Sequence, residues 1–261
     1  MKKQTESPAK LPRIRPVPAV SRAIAILRLL GKAREPMGVN AIAQALALVP
    51  STCLHILRAL VEERLVTFDR LTKHYRLGAG MLSLARSAIE SNSFPLKVQP
   101  ALDRLSTKWG VTAIGVDVSD PEQMVVVALS HSNIPFRLHV DVGSVFPALL
   151  SATGRLVAAF GEQPAMELKK RFAKLRWDQP LDYEDWSKEV AFAKKNHYSI
   201  DRNTYIAGVS IAAVPVLAPN EKITHTIVCA SLMDALNKTQ VKQLIREMQA
   251  EARSIAEELF V

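Results

Sequence analysis

The chain has little cysteine and no long apolar run, and each shortage excludes a class of protein. Only two cysteines occur among its 261 residues, Cys53 and Cys229, and neither has a second candidate ligand at metal-binding spacing. Both are therefore predicted to be small buried hydrophobic residues in a reducing compartment. No stretch approaches the roughly 18 to 20 apolar residues of a membrane span, so we expect no membrane partner.

Catalytic signatures are also missing from the sequence. It contains no nucleophile elbow, Walker loop, dinucleotide-binding glycine pattern or zinc-binding helix. We therefore predict no catalytic residue, no metal site and no cofactor. The histidines that lack metal-ligand spacing are His131, His139, His197 and His225. An enzyme with a basic accessory domain remains the alternative to the interpretation developed below.

Residues 20–77 show three helical runs followed by two short strands. The helical runs cover 21–30, 40–47 and 50–61, and the strands cover 65–68 and 74–77, on either side of a five-residue loop. This order predicts a winged helix-turn-helix over residues 17–78. Such a fold places one helix in the major groove of double-stranded DNA.

The two longer helical runs have recognisable starts and apolar faces. Ser21 is the predicted N-cap of the first, and Pro50 lies where a first helical turn tolerates proline. The first run is predicted to bury Ile24, Leu27 and Leu30. The third is predicted to bury Leu54, Leu57 and Val61 and to leave Ser51, Thr52, His55 and Arg58 outward.

Positive charge is confined to the first third of the chain. Residues 1–90 hold 15 Lys and Arg against 6 Asp and Glu, whereas residues 91–261 hold 19 of each kind. A basic surface restricted to one domain indicates contact with phosphates. Residues 1–16 are polar, basic and rich in proline, without the apolar core of a signal peptide, and predict a disordered arm of a cytoplasmic protein.

A linker helix is predicted over residues 79–92. Its apolar residues, Met81, Leu84, Ala85 and Ile89, recur at helical spacing. A stripe on an isolated helix needs a partner, and the simplest partner is the same helix in a second copy. The sequence therefore predicts a homodimer.

Residues 93–261 predict an α+β domain on one antiparallel sheet. A helix through Val98 and Leu105 stops at Gly110, and a closing helix begins at an apparent cap, Thr239. The predicted strands cover 111–118, 123–130, 136–140, 209–217 and 223–230, and helical segments cover 152–160, 166–175 and 186–196.

Several of these motifs together resemble the IclR family of bacterial transcription regulators. They are Val20-Ser21-Arg22-Ala23, Ala41-Ile42-Ala43, Ser51-Thr52, Tyr75-Arg76-Leu77-Gly78, Ala207-Gly208 and Ala212-Ala213-Val214-Pro215. The resemblance extends over nearly all of residues 17–259. It implies a winged helix, a linker helix and a C-terminal effector domain with a GAF- or profilin-like fold. It also implies homodimers that often pair into tetramers.

The resemblance places the recognition-helix positions on Pro50, Ser51, Thr52 and His55. The family more often has a basic residue in place of Pro50 and arginine in place of His55, so base preference does not transfer. Contacts to the DNA backbone are expected from Arg58, from Arg70 and Lys73 in the wing, and from Arg13 and Arg15 in the arm. Helix capping is an equal alternative for the two hydroxyl residues.

The resemblance also implies an effector pocket between the sheet and residues 147–155. A helix start there favours an anion, such as a carboxylate. The implied pocket residues are Leu129, Ala152, Thr153, Asp201, Ile211, Val228 and Ala230, with residues 136–138 as a further apolar wall. Core packing is the alternative for Leu129, Ile211 and Val228.

Several relatives carry cysteine or hydroxyl residues at the positions of Ile211, Val228 and Ala230. The pocket is therefore expected to be more apolar than that of family members that bind very small keto acids, and to take an aromatic or branched acid. Together these features predict a ligand-responsive transcriptional regulator of a catabolic operon.

Overall fold

The computed structural model describes residues 17–91, 93–131 and 140–260. The predicted arm, most of the predicted strand 136–140 and the predicted wall 136–138 lie outside these ranges, as do His139, Arg13 and Arg15. The chain forms two compact units, Met1–Ser91 and Asn92–Val261, which are described separately. No single described helix is long and apolar enough to cross a membrane.

The first unit is a small helical domain with a three-stranded antiparallel sheet in the order β1-β3-β2. Its elements are α1 (Pro18–Lys32), β1 (Met37–Gly38), α2 (Val39–Ala45), α3 (Pro50–Glu62), β2 (Val66–Phe68), β3 (His74–Leu77) and α4 (Gly80–Ser91). This order confirms the predicted winged helix-turn-helix and adds β1, which was not predicted.

The axes of α2 and α3 meet at 112°. This angle lies within the range of DNA-binding helix-turn-helix motifs. Between the two helices Ala47 has a φ of 50°, and the Leu48 N–H donates to the Ala43 carbonyl. The turn therefore uses a left-handed residue, and alanine fills the place that glycine often takes.

The predicted details of α1 were wrong in two respects. The helix begins at Pro18, because proline fits a first turn, and Ser21 lies inside the helix. Ile26 and Leu30 form the buried face, whereas Ile24 is 43% exposed.

The predicted face of α3 was also partly wrong. Cys53, Leu57 and Leu60 are buried there, so the buried stripe lies one residue earlier than predicted at two of its three positions.

The second unit contains a six-stranded antiparallel sheet in the order β6-β5-β4-β9-β8-β7. Its elements are α5 (Phe94–Trp109), β4 (Thr112–Asp117), β5 (Gln123–Leu129), β6 (Val145–Pro147), α6 (Ser151–Phe160), α7 (Ala165–Phe172), α8 (Tyr183–Asn196), β7 (Ser199–Arg202), β8 (Val209–Leu217), β9 (Ile223–Leu232) and α9 (Lys238–Leu259). The predicted α+β class is confirmed, and the two short edge strands β6 and β7 are additions.

Helices cover both faces of this sheet. One core packs α5 and α9 against residues such as Ile227 and Cys229 of β9. The other core packs α6, α7 and α8 against the opposite face, which includes Val228 and Ala230 of the same strand. Successive β9 residues thus point to opposite faces, as strand geometry requires.

The start of α9 corrects another predicted detail. Asn237, and not Thr239, is its N-cap, because the Asn237 side chain accepts from the N–H groups of Thr239 and Gln240. The Gln240 side chain accepts in return from the Asn237 N–H, which completes a capping box.

Candidate DNA-binding surface and ligand cavity

The exposed face of α3 carries the side chains predicted to meet DNA. Pro50, Ser51, His55 and Arg58 are exposed and Thr52 is half-buried, while the opposite face packs into the core through Leu57. The face is therefore free within its unit to enter a major groove, and its polar groups include a ring nitrogen and a guanidinium.

The loop between β2 and β3 forms a short wing with two exposed cations, Arg70 and Lys73. Asp69 shapes its tip, because its Oδ1 accepts from the N–H groups of Leu71 at 2.8 Å and Thr72 at 3.3 Å. These hydrogen bonds hold the pKa of the Asp69 carboxyl below its ordinary value. The wing thus has a defined turn that points two positive charges outward.

The linker helix α4 has an apolar surface that its own unit leaves open. Leu84 is 57% exposed, Leu82 is more exposed still, and Met81 is half-buried. Ala85 is exposed, and the side chain of Ile89 lies outside the described part of the chain.

A cavity of about 150 Å³ lies between the sheet and the start of α6 in the second unit. Its lining is almost entirely apolar, and none of the described lining residues carries a charge. They are Ile114, Val116, Met124, Val126, Val140, Phe146, Ser151, Thr153, Tyr205, Ile206, Ile211, Val228 and Ala230. An apolar cavity of roughly this volume accommodates a single benzene-sized ring.

The polar end of the cavity is the first turn of α6. Ser151 has a φ of 57° and is 5% exposed, and its Oγ has no hydrogen-bond partner among the described residues. Thr153 is also buried at this turn. The first N–H groups of a helix lack partners within the helix and carry partial positive charge. Ser151 and Thr153 thus both line the cavity at the start of this helix.

Tyr205 contributes a third polar side chain to the described wall. Burial, and then the nearby carboxylates of Asp178 and Asp201, raise the pKa of its hydroxyl above the ordinary value. The phenol therefore stays protonated at neutral pH and can donate a hydrogen bond to a ligand.

Asp201 lies beside the cavity and does not line it. Its Oδ2 accepts from the Arg155 guanidinium at 3.0 Å, and its Oδ1 accepts from the N–H groups of Thr204 and Tyr205. Leu129 and Ala152 are buried in the adjacent core and also lie outside the lining. Of the residues implied by the resemblance, the structure brings together Thr153, Ile211, Val228 and Ala230.

Sequence reasoning missed most of the wall on β4 and β5. Ile114 and Val116 alternate along β4, and Ile114 is the direct partner of Val228 on β9. Met124 and Val126 show the same alternation on β5. The period of two was visible in the sequence, but the pairing that turns these residues toward Val228 was not. Among the described residues, no group of His, Cys, Asp and Glu could hold a metal ion.

Two domain families match this chain. The IclR helix-turn-helix domain matches residues 19–70, and the bacterial transcriptional regulator IclR C-terminal domain matches residues 87–257. The glycerol operon regulatory protein of Streptomyces griseus is 27% identical over 206 residues, which cover 77% of this chain and 80% of that protein.

Solved structures share the fold. An IclR transcriptional regulator from Alicyclobacillus acidocaldarius matches with a TM-score of 0.79 and 22% identity, over 93% of this chain and 99% of that one. An IclR homologue from Microbacterium hydrocarbonoxydans, in complex with 4-hydroxybenzoate, matches with a TM-score of 0.76 and 16% identity, over 92% and 98% of the respective chains.

The winged helix, the C-terminal domain on an antiparallel sheet and the matches over both units agree with one another. They confirm the predicted resemblance and the predicted role in transcription regulation through a DNA-binding helix-turn-helix domain. The chain belongs to the IclR family of bacterial transcriptional regulators.

Proposed function

We propose that this regulator binds operator DNA as a homodimer and that a small organic carboxylate in the cavity controls its DNA affinity. The recognition contacts come from Pro50, Ser51, Thr52 and His55 on α3. Arg58, Arg70 and Lys73 contact the DNA backbone. The exposed cations and the segregation of positive charge into residues 1–90 support this assignment.

One observation carries the ligand proposal. The cavity is apolar except at the α6 start and Tyr205, and the buried Ser151 Oγ at that start has no partner among the described residues. A buried hydroxyl without a partner is unfavourable, and rotation of the Ser151 side chain toward a ligand acceptor in the cavity would satisfy it. A carboxylate bonded to Ser151, Thr153 and the helix N–H groups, with its ring or branched chain against Ile211 and Val228, fits this distribution.

The related proteins support the same class of ligand and target. The IclR homologue from Microbacterium hydrocarbonoxydans was solved with 4-hydroxybenzoate, an aromatic carboxylate with one ring. The Streptomyces griseus relative is named for the glycerol operon. We therefore propose a monocyclic or branched carboxylate as the effector and a catabolic operon as the target.

Calorimetric titration of the full-length chain tests the proposal. Benzoate, 4-hydroxybenzoate and 3-methylbutanoate are compared with benzylamine and benzyl alcohol, which keep the ring and change the charge. We expect at least one acid to bind once per chain, at least about tenfold more tightly than the amine. Thr153→Trp should fill the cavity and abolish binding, with Val228→Phe as a second variant if the first is unfolded. Equal binding of acid and amine would contradict the proposal, as would an unchanged affinity in a folded cavity-filling variant.

The enzyme alternative makes a different prediction for the same ligand. Product analysis after prolonged incubation with the bound acid should recover it unchanged. Turnover would favour an enzyme with a basic accessory domain.

A further inference from the structure

The segment of residues 203–208, here called the cavity loop, supplies two residues of the cavity wall. Tyr205 and Ile206 line the cavity from this loop, which connects β7 to β8. The position of the loop therefore determines the size of the cavity on that side.

The Asp201 side chain forms hydrogen bonds to the backbone of the cavity loop. Its Oδ1 accepts from the Thr204 N–H at 3.1 Å and from the Tyr205 N–H at 3.0 Å. Both bonds reach residues at or next to the cavity wall. Two further bonds support the other end of the loop, from the Gly208 N–H to Asn203 Oδ1 at 2.6 Å and from the Ala207 N–H to Asp178 Oδ2 at 2.9 Å.

Arg155 holds Asp201 in turn. Both side chains are 1% exposed, and the Arg155 Nη1 donates to Asp201 Oδ2 at 3.0 Å. Arg155 lies on α6, two residues after Thr153, and its Nε donates to the half-exposed Glu189 of α8. The Trp177 ring stacks near the guanidinium, with 5.8 Å between Arg155 Cζ and the ring centroid. The pair thus joins the helix that begins at the cavity to the loop that closes it.

We propose that Asp201 and Arg155 are positioning residues that set the distance between the cavity loop and the start of α6. This inference rests on the proposed effector cavity and assigns its polar recognition to Ser151, Thr153 and Tyr205, not to Asp201. A buried carboxylate is stable only when it is paired, and both oxygens of the Asp201 carboxylate are paired, Oδ2 with Arg155 and Oδ1 with the loop N–H groups.

The pairing of Asp201 also restricts the class of ligand that the cavity can take. With Asp201 bonded to Arg155 and to the loop, the described cavity wall presents no negative charge to a ligand. An ammonium group would find no counter-ion there, and its desolvation would be uncompensated. A carboxylate, by contrast, would meet the partial positive charge of the α6 start, so the cavity selects acids and neutral molecules over amines.

Amide hydrogen exchange of the full-length protein, without ligand or DNA, tests the positioning role. In Asp201→Asn the new NH2 group must face either the Arg155 donor or the loop N–H groups, so the amides of Thr204 and Tyr205 should exchange at least about tenfold faster, while those of Val228 and Ala230 on β9 change by less than about twofold. The matched control is Glu189→Gln. Glu189 also accepts from the Arg155 guanidinium, but its carboxylate has no described contact with the loop. It should leave loop exchange within about twofold of the wild type.

Three results would overturn the proposal: equal loop exchange in the two variants, unchanged loop exchange in Asp201→Asn, or a joint rise of loop and β9 exchange, which would indicate a general loss of stability. If Asp201→Asn does not fold, Arg155→Lys provides the same comparison. It retains the charge and loses the planar guanidinium, and should give an intermediate increase.

Titration with 4-hydroxybenzoate separates positioning from direct contact. If Asp201 touched the ligand, Asn would remove a negative charge beside a carboxylate and tighten binding. If Asp201 acts through the loop, the same substitution should weaken binding at least about threefold and preserve the preference for acid over benzylamine. Failure of 4-hydroxybenzoate to bind the wild type would count against the proposed effector class and would leave the exchange result to decide the positioning role.

Discussion

At the scale of single residues, Gly154 allows α6 to begin directly beside the cavity, because it packs closely against the backbone of Leu149. A Cβ at this position would lie 1.9 Å from the carbonyl carbon of Leu149 and 2.0 Å from its oxygen. Both are backbone atoms, so the clash cannot be relieved by a side-chain rotation. The close approach brings the segment before Ser151 against the helix that starts there.

Replacing Gly154 by alanine should therefore lower the free energy of unfolding by at least about 1–3 kcal/mol, measured by urea denaturation. Gly31→Ala is the matched control, because its Cβ would meet only Leu77 Cδ1 at 3.5 Å, an ordinary contact. Since Gly31 lies within α1, its replacement should stabilise the first unit by up to about 1 kcal/mol. Equal effects of the two substitutions would show that the Leu149 contact does not matter.

His225 is a buried titratable residue on the face of the sheet opposite the cavity. Its ring stacks on Phe94 with 4.0 Å between centroids, and its Nε2 lies 3.7 Å from Asp117 Oδ2. Burial lowers the pKa of His225 more than the Asp117 carboxylate raises it. Because the folded state holds the proton less tightly than the unfolded state, the stabilisation is present above the unfolded pKa of about 6.5 and is lost as the pH falls below it.

The unfolding temperature of the wild type should thus drop between about pH 7.5 and about pH 5.5, and the drop should be smaller in His225→Gln. Differential scanning calorimetry of both proteins in matched buffers measures the difference. An identical pH dependence in the two proteins would exclude His225 as its source.

At the scale of elements, hydrophobic periodicity predicted the helices better than their orientation. In α1 the apolar residues Ile24, Ile26, Leu27, Leu29 and Leu30 surround most of the helix. The sequence pattern alone could not decide which of them faces the core. The strands β1, β6 and β7 have two to four residues each, too short for alternation to be visible, and unlike the equally short β2 and β3 they do not flank a recognisable hairpin loop. Their partners, not their own sequences, define them.

The candidate cavity was predictable only in part for the same reason. Thr153, Ile211, Val228 and Ala230 were reached through the family resemblance. Asp201 was expected to contact the ligand, but its partner Arg155 lies 46 residues earlier in the chain, and no local pattern indicates their pairing. Ser151 also escaped prediction, because its significance depends on a buried hydroxyl without a partner among the described residues, which only coordinates reveal.

The α3 helix and the wing should differ in what they contribute to DNA binding. Lys73→Ala should weaken binding to all sequences and reduce the salt dependence of log K by about one, because a phosphate contact is lost. His55→Ala should relax preference at one base position, which costs about 1–3 kcal/mol of discrimination. Binding assays over a salt series and against single-base operator variants measure both effects.

Lys170→Ala removes an exposed lysine from α7 and is the charge-matched control. It should leave both the salt dependence and the base preference unchanged. If it weakened binding as much as Lys73→Ala, the effect of the wing would be one of net charge and not of contact.

The exposed apolar surface of α4 should be the dimer contact. Leu84→Asp is expected to shift the mass in solution toward the monomer and to weaken operator binding, since each monomer then engages one half-site alone. Sedimentation velocity at micromolar concentration measures the mass. Leu71→Asp introduces the same change at a leucine that is 94% exposed on the wing, and should leave the mass unaltered. A monomeric wild type would refute the assignment.

At the scale of the whole molecule, the two units divide the proposed work between them. We propose that the basic winged helix of the first unit holds the DNA affinity and that the cavity in the second unit holds the ligand. A ligand can alter DNA affinity only if it prefers one DNA-binding arrangement of the protein over another. By thermodynamic linkage, operator DNA must then change the affinity for the ligand by the same factor.

The most direct test is the operator affinity of the full-length protein, measured with and without a saturating concentration of the tightest acid from the calorimetric panel. The operator is first located by footprinting on genomic DNA. The account predicts a change in operator affinity of about 5- to 150-fold, with an equal change in ligand affinity when operator is present. The central claim would be contradicted by an acid that binds the wild type, does not bind Thr153→Trp, and leaves operator affinity unchanged.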